Sequence, residues 1–344
     1  MENNINSLKQ PEIAISSRVR LARNIEDLPF PTRMDPGQGS MVIKKVWDSI
    51  ASSSEAAAGK FIFMNIGQLD PVDRQILVEK HLISPELGEN RRESAVIISK
   101  DEKISIMINE EDHLRIQCIF PGMQLENAWQ LCNRLDLLLE DKMDFAYDKN
   151  LGYLTSCPTN VGTGIRASVM LHLPALSMTG YIKSVLEACG KLGIAVRGIY
   201  GENSEASGNM FQISNQVSLG QNEEEIIHSV NHIAGQIIEQ EKMLRTELYN
   251  QDPFRFEDKI YRSLGLLSNA RIISSEESQK LLSDVRLGVD MGTIKGISID
   301  TLNEIMLIIQ PGFIQRLTGK NLGANERDIR RAELIRSRLN RETE

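Results

Sequence analysis

"KISIMINEEDHLRIQCIF", residues 103–120, is the stretch that decides the fold, because two runs of alternating apolar and polar residues flank the acidic turn "NEED". A period of two is typical of a strand with one buried face, and two such runs around a short polar turn predict an antiparallel hairpin. On the second strand, the alternation gives the core face to Leu114, Ile116, Cys118 and Phe120. The opposite face then carries Glu111, His113, Arg115 and Gln117. A carboxylate and a guanidinium therefore project from one surface of the predicted sheet.

The segment "SSRVRLARN", residues 16–24, predicts a second strand with arginines on one face. Alternation groups Ser16 with Arg18 and Arg20, and turns Ser17, Val19 and Leu21 to the other side. Two more arginines, Arg166 and Arg197, occupy strand or strand-end positions. Each arginine alone is typical of a solvated or ion-paired side chain. Together with Arg115 they indicate a polyphosphate site, because planar guanidinium groups bind phosphate oxygens in pairs.

The rest of the chain predicts helices around this sheet and a separate helical end. Apolar residues recur at helical spacing in residues 125–142, which assigns Cys132 to the core, and again from Asn222 onward. The segment "YNQDPFRFED", residues 249–258, breaks the pattern. Beyond it the sequence is largely helical, with a capping signature at Ser274 and Glu277. We therefore predict an α+β fold with two domains, residues 1–250 and 251–344.

Composition argues against several classes of function. The 39 basic and 47 acidic residues give a net charge of -8, which disfavours sequence-independent binding to nucleic acid or anionic membranes. The N-terminal segment lacks the apolar core of a signal peptide, and the longest apolar run, residues 305–309, is too short to span a bilayer. We therefore expect a cytoplasmic protein. The four cysteines are widely spaced without a CxxC, so neither a zinc site nor a disulfide scaffold is indicated.

Common phosphate-binding motifs are absent from the sequence. There is no GxxxxGK[ST] loop and no HRD/DFG set of the protein kinases. The arginines are therefore the candidates for phosphate binding.

Four segments carry a family resemblance: "SSRVR", "NEEDHLRI", "CPTNVGTGIRAS" and "RGIYGENSEASGNMFQISN". In order and spacing they resemble the signature segments of the phosphagen (guanidino) kinases, over roughly residues 12–220. The resemblance implies a phosphagen-kinase-like antiparallel β-sheet flanked by helices, followed here by a C-terminal helical domain. It also implies an enzyme that transfers the γ-phosphoryl group of ATP, bound with Mg²⁺, to a guanidinium nitrogen. No metal held by protein side chains is expected.

The resemblance assigns a role to each matching residue. The nucleotide phosphates would contact the arginines Arg18, Arg20, Arg115, Arg166 and Arg197. Further nucleotide contacts are implied for Ser17, Val19, His81 and Met170. The catalytic set would be Glu111, Glu202 and Cys157, with Glu202 binding the substrate guanidinium. The glycines after Cys157 would let the backbone wrap around the nucleotide, and Gln212 stands where many members of the family carry aspartate.

Carboxylates have a physical reason to be part of such a site. A guanidinium is protonated at physiological pH, so its nitrogens have no free lone pair and are poor nucleophiles. Carboxylates paired with its other N–H groups would hold the attacking nitrogen in line with the γ-phosphorus and accept its proton. The thiolate of Cys157 would lie against the guanidinium and help to fix its position.

Two departures from the family indicate the acceptor. Kinases of small guanidines carry a helical domain before "SSRVR" that helps to enclose the acceptor, whereas fifteen residues precede Ser16 here. A helical domain instead follows residue 250. Both features resemble one branch, the bacterial protein arginine kinases, which phosphorylate arginine side chains in proteins. In that branch an "RDxxRA" motif, here Arg327, Asp328 and Arg331, is associated with an allosteric pocket that binds phosphoarginine.

Resemblance to this branch also implies partners. They are protein substrates with exposed arginine, including a winged-helix transcriptional repressor of heat-shock genes, a zinc-binding activator protein, and a Clp unfoldase that reads the phosphoarginine mark. The apolar segment "LNEIMLIIQPGFIQ", residues 302–315, favours a homodimer. We expect no direct contact with nucleic acid and none with a membrane.

Two alternatives stay open at the level of sequence. The catalytic segments also fit a kinase of free arginine or another small guanidine, although the missing N-terminal domain argues against it. The second alternative is a regulatory adaptor with a decayed kinase fold, whose C-terminal helices bind nucleic acid or a partner. Residues 326–341 carry six arginines and three acids, in keeping with that possibility. The presence of Glu111, Glu202, Cys157 and all five arginines argues against decay.

Overall fold

The computed structural model describes residues 13–53, 60–89, 92–198 and 207–340. Its strands are β1 (Ala14–Arg23), β2 (Phe61–Asn65), β3 (Ala95–Ser99), β4 (Ile104–Ile108), β5 (Leu114–Pro121), β6 (Tyr147–Asp148), β7 (Gly152–Tyr153), β8 (Ile165–His172), β9 (Ile194–Gly198) and β10 (Met210–Asn215). Eight of them form one sheet in the order β2-β3-β4-β5-β1-β8-β10-β9, and β6 pairs with β7. Every neighbouring pair in the large sheet is antiparallel, which confirms the predicted sheet.

Helices cover the two faces of this sheet unequally. They are α1 (Pro36–Ala51), α2 (Pro71–Glu79), α3 (Pro85–Glu89), α4 (Leu125–Glu140), α5 (Pro174–Met178), α6 (Ile182–Lys191) and α7 (Glu223–Gln251). The main core lies under α4 and α7, which pack against β1, β5 and β8, and the predicted core position of Cys132 is confirmed by its complete burial. On the opposite face, the segment around α3 covers only β3 and β4, through Leu87, Val96 and Met107. The middle of that second face is left uncovered by these helices.

The hairpin predicted for residues 103–120 is formed by β4 and β5. Leu114 pairs with Ile108, and the apolar side chains of β5 face the core as predicted. The prediction that His113 shares the face of Arg115 is wrong, because β5 begins only at Leu114. The His113 ring is buried elsewhere, where Nδ1 accepts the N–H of Ile25 at 2.9 Å and Nε2 lies 3.0 Å from the carbonyl oxygen of Pro29.

The C-terminal region is helical, as predicted. It consists of α8 (Pro253–Asn269), α9 (Ser275–Asp290), α10 (Ile299–Ile308), α11 (Pro311–Thr318) and α12 (Ala324–Asn340), which enclose a second apolar core. Asp252 alone separates α7 from α8, close to the predicted boundary near residue 250. Ser274 caps α9 by accepting the N–H of Glu277, which is the interaction its capping signature predicts. None of the helices in the described part of the chain is long and apolar enough to cross a membrane.

Buried polar contacts hold the C-terminal helices against the sheet domain. Arg245 of α7 donates to Glu241 on its own helix at 2.8 Å, to Asp290 of α9 at 3.2 Å and to the carbonyl of His172 at 3.2 Å. The carboxylate of Glu241 also accepts two backbone N–H groups at the start of α5. Because breaking a buried charge pair is costly, these contacts fix the position of α9 on the sheet domain.

Candidate active site between the sheet and the C-terminal helices

A cleft of about 2120 Å³ lies over the uncovered face of the sheet. Side chains of β1, β5, β8, β9 and β10 line its floor, residues of α2 and α3 form one wall, and α9 forms another. The start of α11 contacts the first wall, since Glu79 at the end of α2 accepts the N–H groups of Gly312 and Phe313 at 2.8 and 3.3 Å. All five predicted phosphate arginines line this cleft: Arg18, Arg20, Arg115, Arg166 and Arg197.

Strand register explains why the arginines meet. Arg20 on β1 lies directly opposite Arg166 on β8, so their side chains leave neighbouring strands on the same face. Arg197 on β9 lies opposite Gln212 on β10, and the Gln212 side-chain oxygen accepts a hydrogen bond from Arg18 at 2.9 Å. A glutamine at this position orients Arg18 without neutralising its charge.

The cleft concentrates positive charge that the protein does not neutralise. Within the described residues, no carboxylate lies within 4.0 Å of Arg18, Arg20, Arg166 or Arg197. Burial, together with Arg115 and Arg166, lowers the pKa of Arg18 to about 10, and burial lowers the pKa of Arg20 still more strongly. A guanidinium keeps its proton at neutral pH, so these shifts measure the cost of crowding cations out of water. A bound polyanion would relieve that cost.

Arg115 differs from the other four because two glutamates face it. Its guanidinium lies 2.7 Å from Glu110 and 3.2 Å from Glu111. Glu110 is buried and also accepts the hydroxyl of Ser84 at 2.6 Å, so it serves to hold Arg115. Glu111 is half-buried and lines the cleft, and burial raises the pKa of its carboxyl against the effect of Arg115. Glu111 therefore presents a carboxyl group to the cleft that the five predicted phosphate arginines line.

The turn that carries Glu111 is tied to the loop that carries Cys157. Asp112 accepts the side-chain N–H of Asn24 and the backbone N–H of Ser156, both at 2.7 Å. The Ser156 hydroxyl in turn donates to the carbonyl of Glu111 at 2.7 Å. Glu111 and Cys157 therefore keep a fixed relation through Ser156. These two predicted catalytic residues line the same cleft.

Cys157 is a free, partly exposed thiol that precedes a short 3₁₀ helix, Pro158–Asn160. Its Sγ lies 3.1 Å from the hydroxyl oxygen of Thr159. The glycines that follow have a structural purpose, and their expected wrapping of the nucleotide stays a prediction. Gly162 and Gly164 have φ angles of 115° and 69°, and a Cβ at Gly164 would lie 2.6 Å from the carbonyl oxygen of Ala22. They let the loop pack closely against the rest of the chain.

His81 lines the cleft at a backbone φ of 58°. Burial, with a smaller contribution from the charge of Arg18, lowers its pKa to about 4, so the imidazole is neutral at physiological pH. The carbonyl oxygen of His81 accepts the side-chain N–H of Gln117 at 2.8 Å, which anchors this segment to the floor of the cleft.

Among the remaining predicted nucleotide contacts, Ser17 and Val19 turn their side chains to the core, whereas Met170 shares the cleft face of its register partner Gln212 without lining the cleft. Ser17 and Val19 lie on the core face of β1, where the Ser17 hydroxyl donates to the carbonyl of Gly122 and accepts the N–H of Gln124, both at 2.9 Å. Met170 on β8 lies between Ser16 and Gln212 in the sheet register, outside the cleft lining. Glu202 falls outside the described residues.

The three residues of the C-terminal motif lie on α12, away from the cleft. Arg331 is 2% exposed and donates to the carbonyls of Ile309 and Ile273, both at 3.1 Å, and to the carboxylate of Asp328. Arg327 donates to the carbonyl of Leu322 at 2.7 Å. In this structure Asp328 and Arg331 bind each other, so a role of the motif in phosphoarginine binding stays a prediction.

Several residues that line the cleft were not predicted from the sequence. Glu110 had a usable signal, because it adjoins Glu111 in "NEED", and both carboxylates pair with Arg115 from this turn. Lys183, Gln279 and Lys280 line the cleft from helices and carry no local signal. Their contribution depends on how α6 and α9 pack against the sheet, which periodicity does not specify.

The site accommodates a nucleotide better than a metal held by the chain. In the described ranges no group of three or more His, Cys, Asp or Glu side chains could hold a metal ion. Within the part of the chain that the structure describes, four arginines have no carboxylate partner and the Nε of Arg20 is buried without a hydrogen-bond partner, which matches the oxygens of a polyphosphate. Mg²⁺ commonly binds through substrate phosphates and retains several waters, so it would enter with the nucleotide.

Comparison with known proteins agrees with this geometry. The model of the ATP:guanido phosphotransferase C-terminal catalytic domain matches residues 41–244, and that of the protein-arginine kinase McsB C-terminal domain matches residues 253–344. The protein-arginine kinase of Bacillus pumilus is 51% identical over 96% of this chain and 91% of its own length. That of Bacillus subtilis is 50% identical over 97% and 92%, respectively. The chain belongs to the protein-arginine kinase family.

Solved structures of kinases with other names have a fold similar to that of this protein-arginine kinase family member. Lombricine kinase superposes with a TM-score of 0.61 at 22% identity, covering 69% of this chain and 68% of that chain. The duplicated taurocyamine kinase from Schistosoma mansoni, with bound transition state analog components, gives a TM-score of 0.62 at 26% identity, covering 73% and 36%. The protein is therefore a phosphotransferase with the phosphagen kinase fold.

Proposed function

We propose that this protein transfers the γ-phosphoryl group of ATP to the guanidinium group of arginine side chains in proteins. The observation that carries the proposal is the cleft itself, in which four arginines with no carboxylate partner among the described residues lie beside Glu111 and Cys157. Phosphoryl transfer passes through a loose transition state, for which positioning and charge neutralisation supply most of the rate. The arginines serve the phosphate side of the reaction, and the carboxylate and thiol serve the acceptor side.

The reaction balances with groups that this chain supplies. A guanidinium nitrogen of the acceptor forms a bond to the γ-phosphorus while the bond from that phosphorus to the bridging β–γ oxygen breaks and ADP leaves. The proton of the attacking nitrogen passes to Glu111, whose pKa is raised by burial and which therefore binds a proton more readily than an exposed glutamate. When bound with the nucleotide, Mg²⁺ would neutralise charge on the phosphate oxygens.

Each cleft residue has a separate task in this scheme. Arg18, Arg20, Arg166 and Arg197 bind phosphate oxygens, with Arg18 oriented by Gln212. Arg115 is held by Glu110 and approaches both the phosphates and Glu111. The thiol of Cys157 contacts the acceptor guanidinium, and Glu202, carried over from the family motif, pairs with its remaining N–H groups.

A protein acceptor is favoured over free arginine by the names and coverage of the relatives. Two relatives at about half identity are called protein-arginine kinases, and the C-terminal domain model of that enzyme matches residues 253–344. Residues of this second domain also line the cleft, among them Gln279 and Lys280, so a polypeptide acceptor can contact both domains. Free arginine lacks the flanking backbone that such contacts would orient.

The test uses ATP labelled at the γ-phosphate and three acceptors. They are an unfolded arginine-containing protein, the same protein with every arginine replaced by lysine, and free arginine. We expect label on the first acceptor only, in an acid-labile N–P bond, with kcat/KM far above that for free arginine. Equal or better kcat/KM on free arginine would favour the small-guanidine kinase. Absence of label on all three, with ATP still bound, would favour the adaptor with a decayed kinase fold.

We further propose the cellular setting that the family resemblance implies. The chain acts in the cytoplasm under stress as a homodimer, with a zinc-binding activator protein, on substrates that include a heat-shock repressor. Its phosphoarginine product marks proteins for a Clp unfoldase and activates the enzyme allosterically. Reconstitution with each purified component measures these points separately. A repressor that gains no phosphoarginine, with or without the activator, would remove it from the list of substrates.

A further inference from the structure

The C-terminal domain touches the sheet at the start of β10 through a buried hydroxyl group. Ser283 of α9 lies 2.8 Å from the side-chain nitrogen of Asn209 and 2.8 Å from Nε2 of His172. His172 and Ser283 are buried, and Asn209 is partly buried. Burial, then Arg245 and Arg286, lower the pKa of His172, so the imidazole stays neutral and this contact does not titrate near neutral pH.

A second contact brings the same helix against the same turn. Gly208 has a φ of 64°, and a Cβ there would lie 3.1 Å from the backbone oxygen of Gln279 on α9. Asn209 also has a positive φ, 55°, and its carbonyl accepts the N–H of Leu173 at 2.9 Å. The turn before β10 is therefore fixed between the end of β8 and the C-terminal domain.

This turn leads directly into the strand that organises the phosphate side of the cleft. β10 begins at Met210, two residues before Gln212, which orients Arg18. The register also places Gln212 opposite Arg197. A displacement of Asn209 would pass along a short, hydrogen-bonded strand to two of the four arginines that lack a carboxylate partner. The end of α9 is meanwhile anchored by Arg245 and Asp290, so the helix can act as a fixed reference.

We propose that Ser283 is a positioning residue through which the C-terminal domain sets the geometry of the phosphate arginines. The expected change in kcat rests on the proposed function, whereas the expected change in nucleotide affinity rests only on the geometry of the cleft. Ser283 touches neither nucleotide nor acceptor. It holds Asn209, Asn209 holds the start of β10, and β10 holds Arg18 and Arg197 in place. The second domain is thus part of the machinery of phosphate binding.

The test compares Ser283→Ala with Ser278→Ala in the full chain. Ser278 is a buried serine on the same helix whose hydroxyl donates only within the helix, to the carbonyl of Ser275 at 2.8 Å, so it controls for loss of a buried hydroxyl. We expect Ser283→Ala to lower kcat for protein arginine about tenfold and to raise the Kd of ATP about threefold, because small misplacements act mainly on the transition state. Ser278→Ala should leave both unchanged.

Asn209→Gly approaches the same contact from the other side. Glycine keeps the positive φ of this position and removes only the side chain that meets Ser283. If Asn209 acts through its hydrogen bond to Ser283, the double variant should match Ser283→Ala in kcat and in Kd for ATP, because Ser283→Ala already removes that bond. Effects that multiply in the double variant would overturn the proposal, as would a folded Asn209→Gly protein with wild-type kcat and Kd. Should the wild-type chain bind ATP without phosphorylating arginine, the proposed function fails, while the Kd comparison still decides the positioning role.

Discussion

Two groups of arginines in this protein illustrate opposite uses of the same side chain. In the cleft, Arg18, Arg20, Arg166 and Arg197 have no carboxylate within 4.0 Å in the described residues. On α12, Arg331 is 2% exposed and satisfied by two carbonyls and Asp328. Within the described part of the chain, the side chains of these four cleft arginines donate hydrogen bonds only to neutral side chains, as from Arg18 to Gln212 and from Arg166 to Ser214, whereas Arg331 pairs with a carboxylate within the fold. Residue type alone does not distinguish the two uses, whereas the partners do.

The difference has an energetic side. Grouping unpaired cations in a partly buried cleft destabilises the empty protein, because each charge loses water and repels the others. Such an arrangement is typical of a binding site whose charges favour a ligand at a cost in the stability of the empty protein. The charge of Arg331 is also removed from water, but its pairing with Asp328 compensates that loss. Substitution should therefore affect function in one group and stability in the other.

The strongest test of this contrast is Arg20→Met. Burial first, and then the charges of Arg18, Arg115 and Arg166, lower the pKa of Arg20 well below its usual value. We expect phosphoryl transfer to fall about 10³-fold, as for other arginines that neutralise a transferring phosphoryl group. Without ATP, we expect Tm to rise by about 2–4 °C, because an uncompensated charge is replaced by an apolar side chain.

Arg134→Met is the matched control, because Arg134 is exposed on α4, on the other face of the sheet. Its transfer rate and Tm should stay at the wild-type values. A lower Tm for Arg20→Met would show that Arg20 contributes to the fold like Arg331, and the contrast between the two groups would fail.

The next largest effect should come from Glu111→Gln. The glutamine has a similar shape but neither accepts a proton nor pairs with a guanidinium charge, so kcat should fall at least about 10²-fold. Affinity for ATP and the fold should stay nearly unchanged. Glu187→Gln, an exposed change on α6 outside the cleft, is the control. A Glu111→Gln enzyme that retains more than about a tenth of wild-type turnover would remove Glu111 from the role of base.

Arg331→Ala should lower the stability of the protein, unlike the substitutions in the cleft, which should lower phosphoryl transfer. It leaves Asp328 without its partner and two buried carbonyls without a donor, so we expect a loss of about 3 kcal/mol in the free energy of unfolding. The neighbouring Arg330 pairs with Glu333 at the surface, and Arg330→Ala should cost less than about 0.5 kcal/mol. Urea unfolding of both variants measures the difference. Equal stabilities would place Arg331 with the ligand-binding arginines instead.

Much of the cleft could be predicted from strand periodicity. Alternation along β1 and β5 put Arg18, Arg20 and Arg115 on one face, because a strand with one buried face leaves little freedom of register. His113 was misplaced because the alternation was extended into the turn, where the backbone no longer has a period of two. Periodicity is reliable only within the strand, and the sequence does not mark where the strand begins.

Contacts between the domains could not be predicted in this way. Glu79 accepts two N–H groups at the start of α11, and a Cβ at Gly312 would lie 2.8 Å from its carboxylate oxygen. Neither "VEKH" nor "QPGF" contains a signal for the other, because more than two hundred residues separate them. Ser283 and Asn209 are 74 residues apart, and the sequence around each likewise contains no signal for the other. These contacts follow from helix packing in three dimensions, so a local pattern cannot show them.

The smallest effect is expected for substitution of Arg327, whose hydrogen bonding is intermediate between that of the cleft arginines and that of Arg331. It shares the motif with Arg331 but has one carbonyl partner, Leu322, so part of its guanidinium is available for a ligand. Arg327→Ala should weaken binding of free phosphoarginine about tenfold by calorimetry, a typical loss for one charge-assisted contact. Transfer to a short arginine peptide should not change, because Arg327 lies outside the cleft. Asp328 is left intact in this test, since its removal would leave Arg331 buried without a charge partner and confuse binding with stability. Unchanged phosphoarginine affinity would place Arg327 with Arg331 among the structural arginines.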